Sequence, residues 1–384
     1  MQKMPIMSLE KNWRLSDMSK KSVFFLSIVF SLLPVSLFAV TKRSEKPTGD
    51  EPWYILKQAQ NCFENNDYGE AVKFAEDAKQ KRLEYCQWES YILDQTQRSQ
   101  QIRKAGDYID EILLILQEKS YVEAVQIINE HFDRYGKDFF NSSFSKLKQW
   151  IENDYLYPEA DFLLGKIYKL EGEFEFSASY LNRAYENRQR LDVPNVKYDI
   201  LYELADLSEL QGDDKRYEEN LLSVLKDDSS YTNSGFLVAL TRLINNNTKD
   251  SVEKFFLLYR SNNDISIRAL YELGEYYTRM KQNEKALRCV ALGSIAAVTK
   301  IEDILKNRLF DYSYTTFQDL LDKASKYDDV VEWGNSNNIW ELFYNLAANA
   351  EISGKTVFSK TLFSILAEHE PEDYWKKRAA IKLQ

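Results

Sequence analysis

The amino-acid sequence predicts an all-α protein, a right-handed α-solenoid of stacked helical hairpins. Three observations predict it. The 384 residues include only 12 glycines and 7 prolines, about one residue in twenty against roughly one in eight in an average protein. Tight-turned β folds need more of both. Hydrophobic residues make up 44% of the chain and charged residues 29%, enough core material to exclude a disordered chain. One pattern of small and aromatic residues also returns at nearly constant spacing, the mark of a repeat architecture.

The first element is an export signal. Val23 to Phe38 form a 16-residue apolar run behind Met18-Ser19-Lys20-Lys21 and ahead of Ala39, the basic, apolar and small regions of a secretory signal peptide. The run is shorter than the ~20 residues that span a bilayer, and Pro34 disfavours a long helix. Residues 1–17 are mixed and long for a signal's front end, so Met18 is the expected start. Cleavage after Ala39 and retention as an uncleaved inner-membrane anchor both stay open, because Leu37 stands where cleavage favours a small residue. Residues 1–39 are thus read as an N-terminal extension plus signal peptide, and 40–51 as a short linker.

Residues 52–370 are read as a helical repeat array. From Trp53 to Ala78, the small residues Ala59, Ala71 and Ala78 follow one another at intervals of 12 and 7, with Asp67-Tyr68 as the turn. Ile112 and Ala124 repeat the first interval weakly. The 53-residue steps from Ala59 to Ile112 and on to Gly165 call for extra helices, at Tyr85 to Gln101 and Ser143 to Glu152. Leu164-Gly165 is followed by Tyr168, by Ser177 twelve residues after the glycine, and by Leu181 and Ala184. Leu204-Ala205 pairs with Tyr217 and Val224 around a Gly212-Asp213 turn, and Ala239 with Ser251. Leu273-Gly274 leads to Tyr277, Ala286 and Gly293 at the same spacing as the Gly165 copy. A degenerate hairpin is expected at 300–335. Leu346-Ala347 then leads through Gly354-Lys355 to Ser359 and Phe363, Pro371 closes the unit, and 371–384 is read as a C-terminal capping helix. The starting points fall in frame, 40 residues from Gly165 to Ala205, 34 to Ala239, 35 to Gly274 and 73 to Ala347.

This spacing has a physical reason. A Gly or Ala on the first helix facing a small residue on the second lets two backbones approach, and a single hairpin cannot bury its apolar face alone. The pattern resembles the tetratricopeptide repeat, a 34-residue helix–turn–helix unit with Leu-Gly, a Tyr three residues on and small residues on its second helix. The resemblance covers roughly residues 52–375. It implies an array whose concave face, lined by first helices, takes ligands. Three residues before each Gly/Ala contact stand Phe162, Tyr202, Phe236, Tyr271 and Tyr344; one residue after stand Lys166, Asp206, Glu275 and Ala348; six before stand Glu159, Asp199, Arg268 and Glu341. In this register the groove is aromatic and acidic on balance, suited to a protein or peptide partner of basic character. Packing between neighbouring first helices is the alternative role for the rings.

Little here points to chemistry. No nucleotide-binding, zinc-protease or serine-hydrolase motif occurs, and His131 and His369 stand far apart. Cys62, Cys86 and Cys289 have no metal-ligand spacing; Cys62 can pair with Cys86, or all three can be buried thiols. The carboxylate pairs Glu171/Glu173 and Asp328/Asp329 sit in turn-like positions. No catalytic residue, metal or cofactor is expected. The net charge is −10, and the first 39 residues hold Lys3, Lys11, Arg14, Lys20 and Lys21 against Glu10 and Asp17, so the remainder carries −13. Such a body repels nucleic acid, and Lys376, Lys377 and Arg378 suit a helix C-terminus. The expected function is a non-enzymatic interaction scaffold of the bacterial periplasm or cell envelope, touching the membrane only through its N-terminal segment. An accessory of a periplasmic transport or outer-membrane assembly system, including a homo-oligomeric one, is the second reading. A helical-toroid carbohydrate-active enzyme is the third.

Overall fold

A computed structural model describes residues 43–97, 154–246, 248, 250–258 and 264–384. The expected export signal, and the helices expected around Ile112 to Ala124 and Ser143 to Glu152, lie outside the described residues. Within them the protein has sixteen α-helices, one short 3-10 helix (Arg188–Arg190) and no strand. Among the described residues, no helix is long and apolar enough to cross a membrane.

Three helix pairs come first, α1 (Pro52–Glu64) with α2 (Tyr68–Gln97), α3 (Pro158–Leu170) with α4 (Phe174–Glu186), and α5 (Val196–Leu210) with α6 (Asp214–Leu225). Three shorter helices follow, α7 (Ser229–Thr232), α8 (Ser234–Asn245) and α9 (Ser251–Phe256). A fourth pair is α10 (Ile265–Arg279) with α11 (Asn283–Lys306). After α12 (Phe317–Ala324) and α13 (Asp328–Ser336) come a fifth pair, α14 (Ile339–Ile352) with α15 (Thr356–His369), and the terminal α16 (Asp373–Ile381).

The five pairs share one internal register. Ala59, Gly165, Ala205, Gly274 and Ala347 are buried on the first helices, and Ala71, Ser177, Tyr217, Ala286 and Ser359, twelve residues on, are buried on the second. The contact is close. A Cβ on Gly165 would lie 2.6 Å from the Leu181 side chain, and one on Gly274 would lie 2.5 Å from Val290 Cγ1. Ser177 Oγ also donates to the Gly165 carbonyl at 2.8 Å. Between the helices, each chain turns through one left-handed residue seven positions after the small one, Asn66, Gly172, Gly212, Lys281 and Gly354. The next amide closes the turn onto the first helix, as from Glu173 N to Tyr168 O at 2.9 Å and from Gln282 N to Tyr277 O at 2.8 Å. This closing bond satisfies a carbonyl that a helix end would otherwise leave open.

Each second helix packs on a later first helix, α2 on α3, α4 on α5, α6 on α10 and α11 on α14, with α15 on α16. Contact between α6 and α10 bypasses the segment between them. The hairpin expected at Ala239 and Ser251 therefore exists only as the short pair α8 and α9, set outside this order. With six residues α9 is too short to cover a neighbour, and its Phe255 and Phe256 join rings elsewhere. Phe256 stacks on Phe317 of α12 (3.8 Å between centroids), and Phe255 meets Phe358 of α15 edge-on.

The hairpin expected at 300–335 also differs. Residues up to Lys306 continue α11, buried on nearly every side from Val290 to Val298. The short α12 packs on α11 and α15, and α13 on α14 and α11. Likewise, the extra helix expected from Tyr85 is the unbroken continuation of α2. Part of the expected linker lies along this helix. Arg43 pairs with Glu84 at 2.9 Å, Lys81 reaches the Thr48 carbonyl, and Pro47 is buried. All three cysteines are free thiols; burial pushes those of Cys86 and Cys289 up to about 12.

Candidate protein-interaction surface

The first helices α3, α5, α10 and α14 lie side by side, joined by polar side chains. These side chains stand on one face because residues three and four apart share it. From α3, Lys169 reaches Glu203 and Asp206 of α5, the latter at 3.4 Å. Asp206 also pairs with Arg268 of α10, whose Nε donates to Glu272 at 2.6 Å. From α10, Tyr271 Oη donates to Glu341 of α14 at 3.0 Å. Glu275 accepts from Asn345 at 2.7 Å, and Thr278 donates to Asn349 at 3.0 Å.

Most expected groove residues fall on or beside this ladder. Phe162 is half-buried, and Lys166 stands over its ring and that of Phe63. Asp199 is exposed, and Asp206, Arg268, Tyr271 and Glu275 are members of the ladder. The aromatic column is different. Tyr202 is buried, donating to the Ile265 carbonyl at 2.5 Å and accepting from Ala269 N at 3.1 Å, so it fastens α5 to α10. Tyr344 is buried against Phe363 and Trp375. Phe236 sits on α8, away from the ladder, beside Tyr231 and Leu270. The rings fill spaces between helices; the charged and amide groups make the face.

Lys169, Glu203, Glu272 and Asn345 also belong to the ladder and were not expected. Their signal was present in the register, because Glu203, Glu272 and Asn345 each stand two residues before the buried small residue. Burial, with the neighbouring Glu341 charge, raises the Glu275 carboxyl above its ordinary range. Burial also raises Glu272, against the lowering pull of Arg268. At the open end, partial loss of solvent around its carboxyl raises the otherwise exposed Asp199, while Lys166 pulls it down. Carboxylates outnumber cations on this face, so a cation arriving there would stabilise the charged forms.

No protein-family model matches the chain. The chain is similar to an uncharacterized protein of Treponema pallidum, 28% identical over 348 residues, which cover 90% of this chain and 92% of that protein. It is also similar to an uncharacterized protein of Borreliella burgdorferi, 23% identical over 235 residues, or 56% of this chain and 72% of that protein. The treponemal similarity spans nearly the whole of both chains, and so includes the segments between the hairpins as well as the hairpins.

Proposed function

We propose that this protein is a non-enzymatic interaction scaffold, a right-handed solenoid of tetratricopeptide-like hairpins that holds a partner's segment across its first helices. The observation that carries the reading is the ladder from Lys169 to Asn349, which sets four first helices edge to edge with carboxylates in excess. The common register of the five hairpins supports the repeat assignment. A basic segment suits the face, because it would pair with carboxylates that burial and like charge now disfavour. The apolar run Val23 to Phe38 supports export to the periplasm or cell envelope.

Cross-linked capture from envelope extracts tests this. Asp199→Lys with Glu275→Lys should reduce recovery of the same cross-linked partner by about tenfold or more, since buried interface charges carry several kcal/mol. High salt should weaken the capture as well. Unchanged capture by the double variant would sink the proposal. Tyr202→Ala is no clean probe, because it also unfastens α5 from α10.

A further inference from the structure

The hairpin turns carry a feature that the first-helix face does not use. Five or six residues after the small residue of four first helices, an apolar side chain stands in solvent: Leu170 (56% exposed), Leu210 (59%), Met280 (42%) and Ile352 (56%). They form one edge. Lys169 ties α3 to α5 one turn from these tips, and Arg279 approaches Glu209 at 3.9 Å. Ile352 shares a shallow notch of about 440 Å³ with Lys281 to Lys285. Isolated exposed leucines need no explanation, but one on each of four of the five hairpins along a single edge does.

The charges along this edge are polarised. Glu171 and Glu173 flank Leu170, and Asp214 follows Leu210; Lys281 adjoins Met280, and Lys355 follows Ile352. Among the described residues, none of these five has an ion-pair partner. Glu284, in the notch with Ile352, is of the opposite sign, so the edge is acidic at one end and basic on balance at the other; apolar along its length, it is complementary to itself when reversed. Two-fold contacts require that property.

We propose that this turn edge is a homodimer interface, in which a second copy lies antiparallel. Leu170 then meets Ile352 of the second copy, and Leu210 meets its Met280. Glu171 and Glu173 face Lys355, and Asp214 faces Lys281. The Glu171 carboxyl, already raised by burial and by Glu173 beside it, gains a cation. With neighbouring helices about 8–10 Å apart, an edge four hairpins long buries on the order of 1,000 Å² in total, the small end of specific interfaces. An interface of that size suits a reversible rather than an obligate dimer.

Sedimentation velocity of the purified chain over a micromolar concentration series tests the interface, with circular dichroism confirming that each variant folds. The wild type should associate reversibly. Leu210→Glu, and separately Glu171→Lys with Glu173→Lys, should leave a monomer throughout the series. Adding Lys355→Glu to the second variant should restore association. A wild type that stays monomeric, a dimer indifferent to Leu210→Glu, or a charge reversal that fails to restore association would each overturn the proposal.

Discussion

Gly165 and Gly274 are the residues on which hairpin geometry most visibly depends, and both faced a propensity cost. Alanine is the better helix former by about 1 kcal/mol, yet its methyl group would sit inside Leu181 or Val290. Gly165→Ala should therefore destabilise the protein by about 1–3 kcal/mol, the usual range for overpacking, as read by urea unfolding. A stabilised variant would mean that α3 and α4 can part without loss. Glu370 poses the opposite problem. It ends α15, is 2% exposed, and neither carboxylate oxygen has a hydrogen-bond partner. Burial, reinforced by Glu372, raises its carboxyl well above the ordinary range. A raised acid binds its proton more tightly in the folded state, so its penalty grows as pH rises above the unfolded value near 4.5 and is absent below it. Glu370→Gln should thus stabilise the protein by about 1–2 kcal/mol at pH 8 and by almost nothing at pH 4. Thermal melts of both proteins at the two pH values check this; an equal gain at both would sink it. The glycines were legible in the sequence because a missing Cβ recurs at a fixed interval. Glu370 was not, because its burial is created by α16 packing back on α15, a contact with no local signature.

At the scale of the element, all five turns use the same left-handed residue but not the same residue type. Gly172, Gly212 and Gly354 announce a turn in the sequence; Asn66 and Lys281 do not. A side chain in this conformation costs roughly 1–2 kcal/mol, and glycine avoids most of it. Lys281→Gly should raise stability by about 0.5–1 kcal/mol, after allowing for glycine's larger unfolded-state entropy. Urea unfolding at low protein concentration reads this without involving association, and a destabilised variant would show that Lys281 makes a contact worth more than the strain. Helix length was harder to read than helix existence. Small residues mark where two helices touch, but nothing in the periodicity says where a second helix stops. Hence α2 and α11 run on where new helices were expected. Position −2 of the first helix was likewise readable in principle: Glu203, Glu272 and Asn345 share it, and it faces the neighbouring helix. The aromatic spacing points elsewhere, to rings that pack between helices, Tyr202 above all.

For the molecule as a whole, the order of contacts divides the chain in two. The pairs from α3 to α6 touch mainly their immediate neighbours, the condition under which repeats unfold semi-independently. The segment from α9 onward is cross-tied. Phe255 and Phe256 join rings of α12, α14 and α15, Tyr314 Oη donates to the Phe256 carbonyl at 2.6 Å, and Glu253 accepts from the first amide of α12 at 2.8 Å. The two hydrogen bonds span 58 and 64 residues of sequence, and the ring contacts reach α14 and α15, so the α14–α15 hairpin cannot open without breaking contacts to α9. The prediction is a cooperative C-terminal block beside a graded N-terminal stack. Phe256→Ala removes a fully buried ring at the centre of the knot and should cost the block about 3–5 kcal/mol. Amide hydrogen exchange resolved by peptide should then show lost protection from α9 to α16 with α3 to α6 nearly unchanged. Protection lost evenly along the chain would instead mean that α6 on α10 couples the halves as tightly as the knot couples its own members. Loss confined to α9 would mean that the rings decorate a stack already stable without them. The bypassed helices thus have a physical use that a regular repeat lacks: they tie distant hairpins into one unit at the end of the array that carries Tyr271, Glu275 and Glu341.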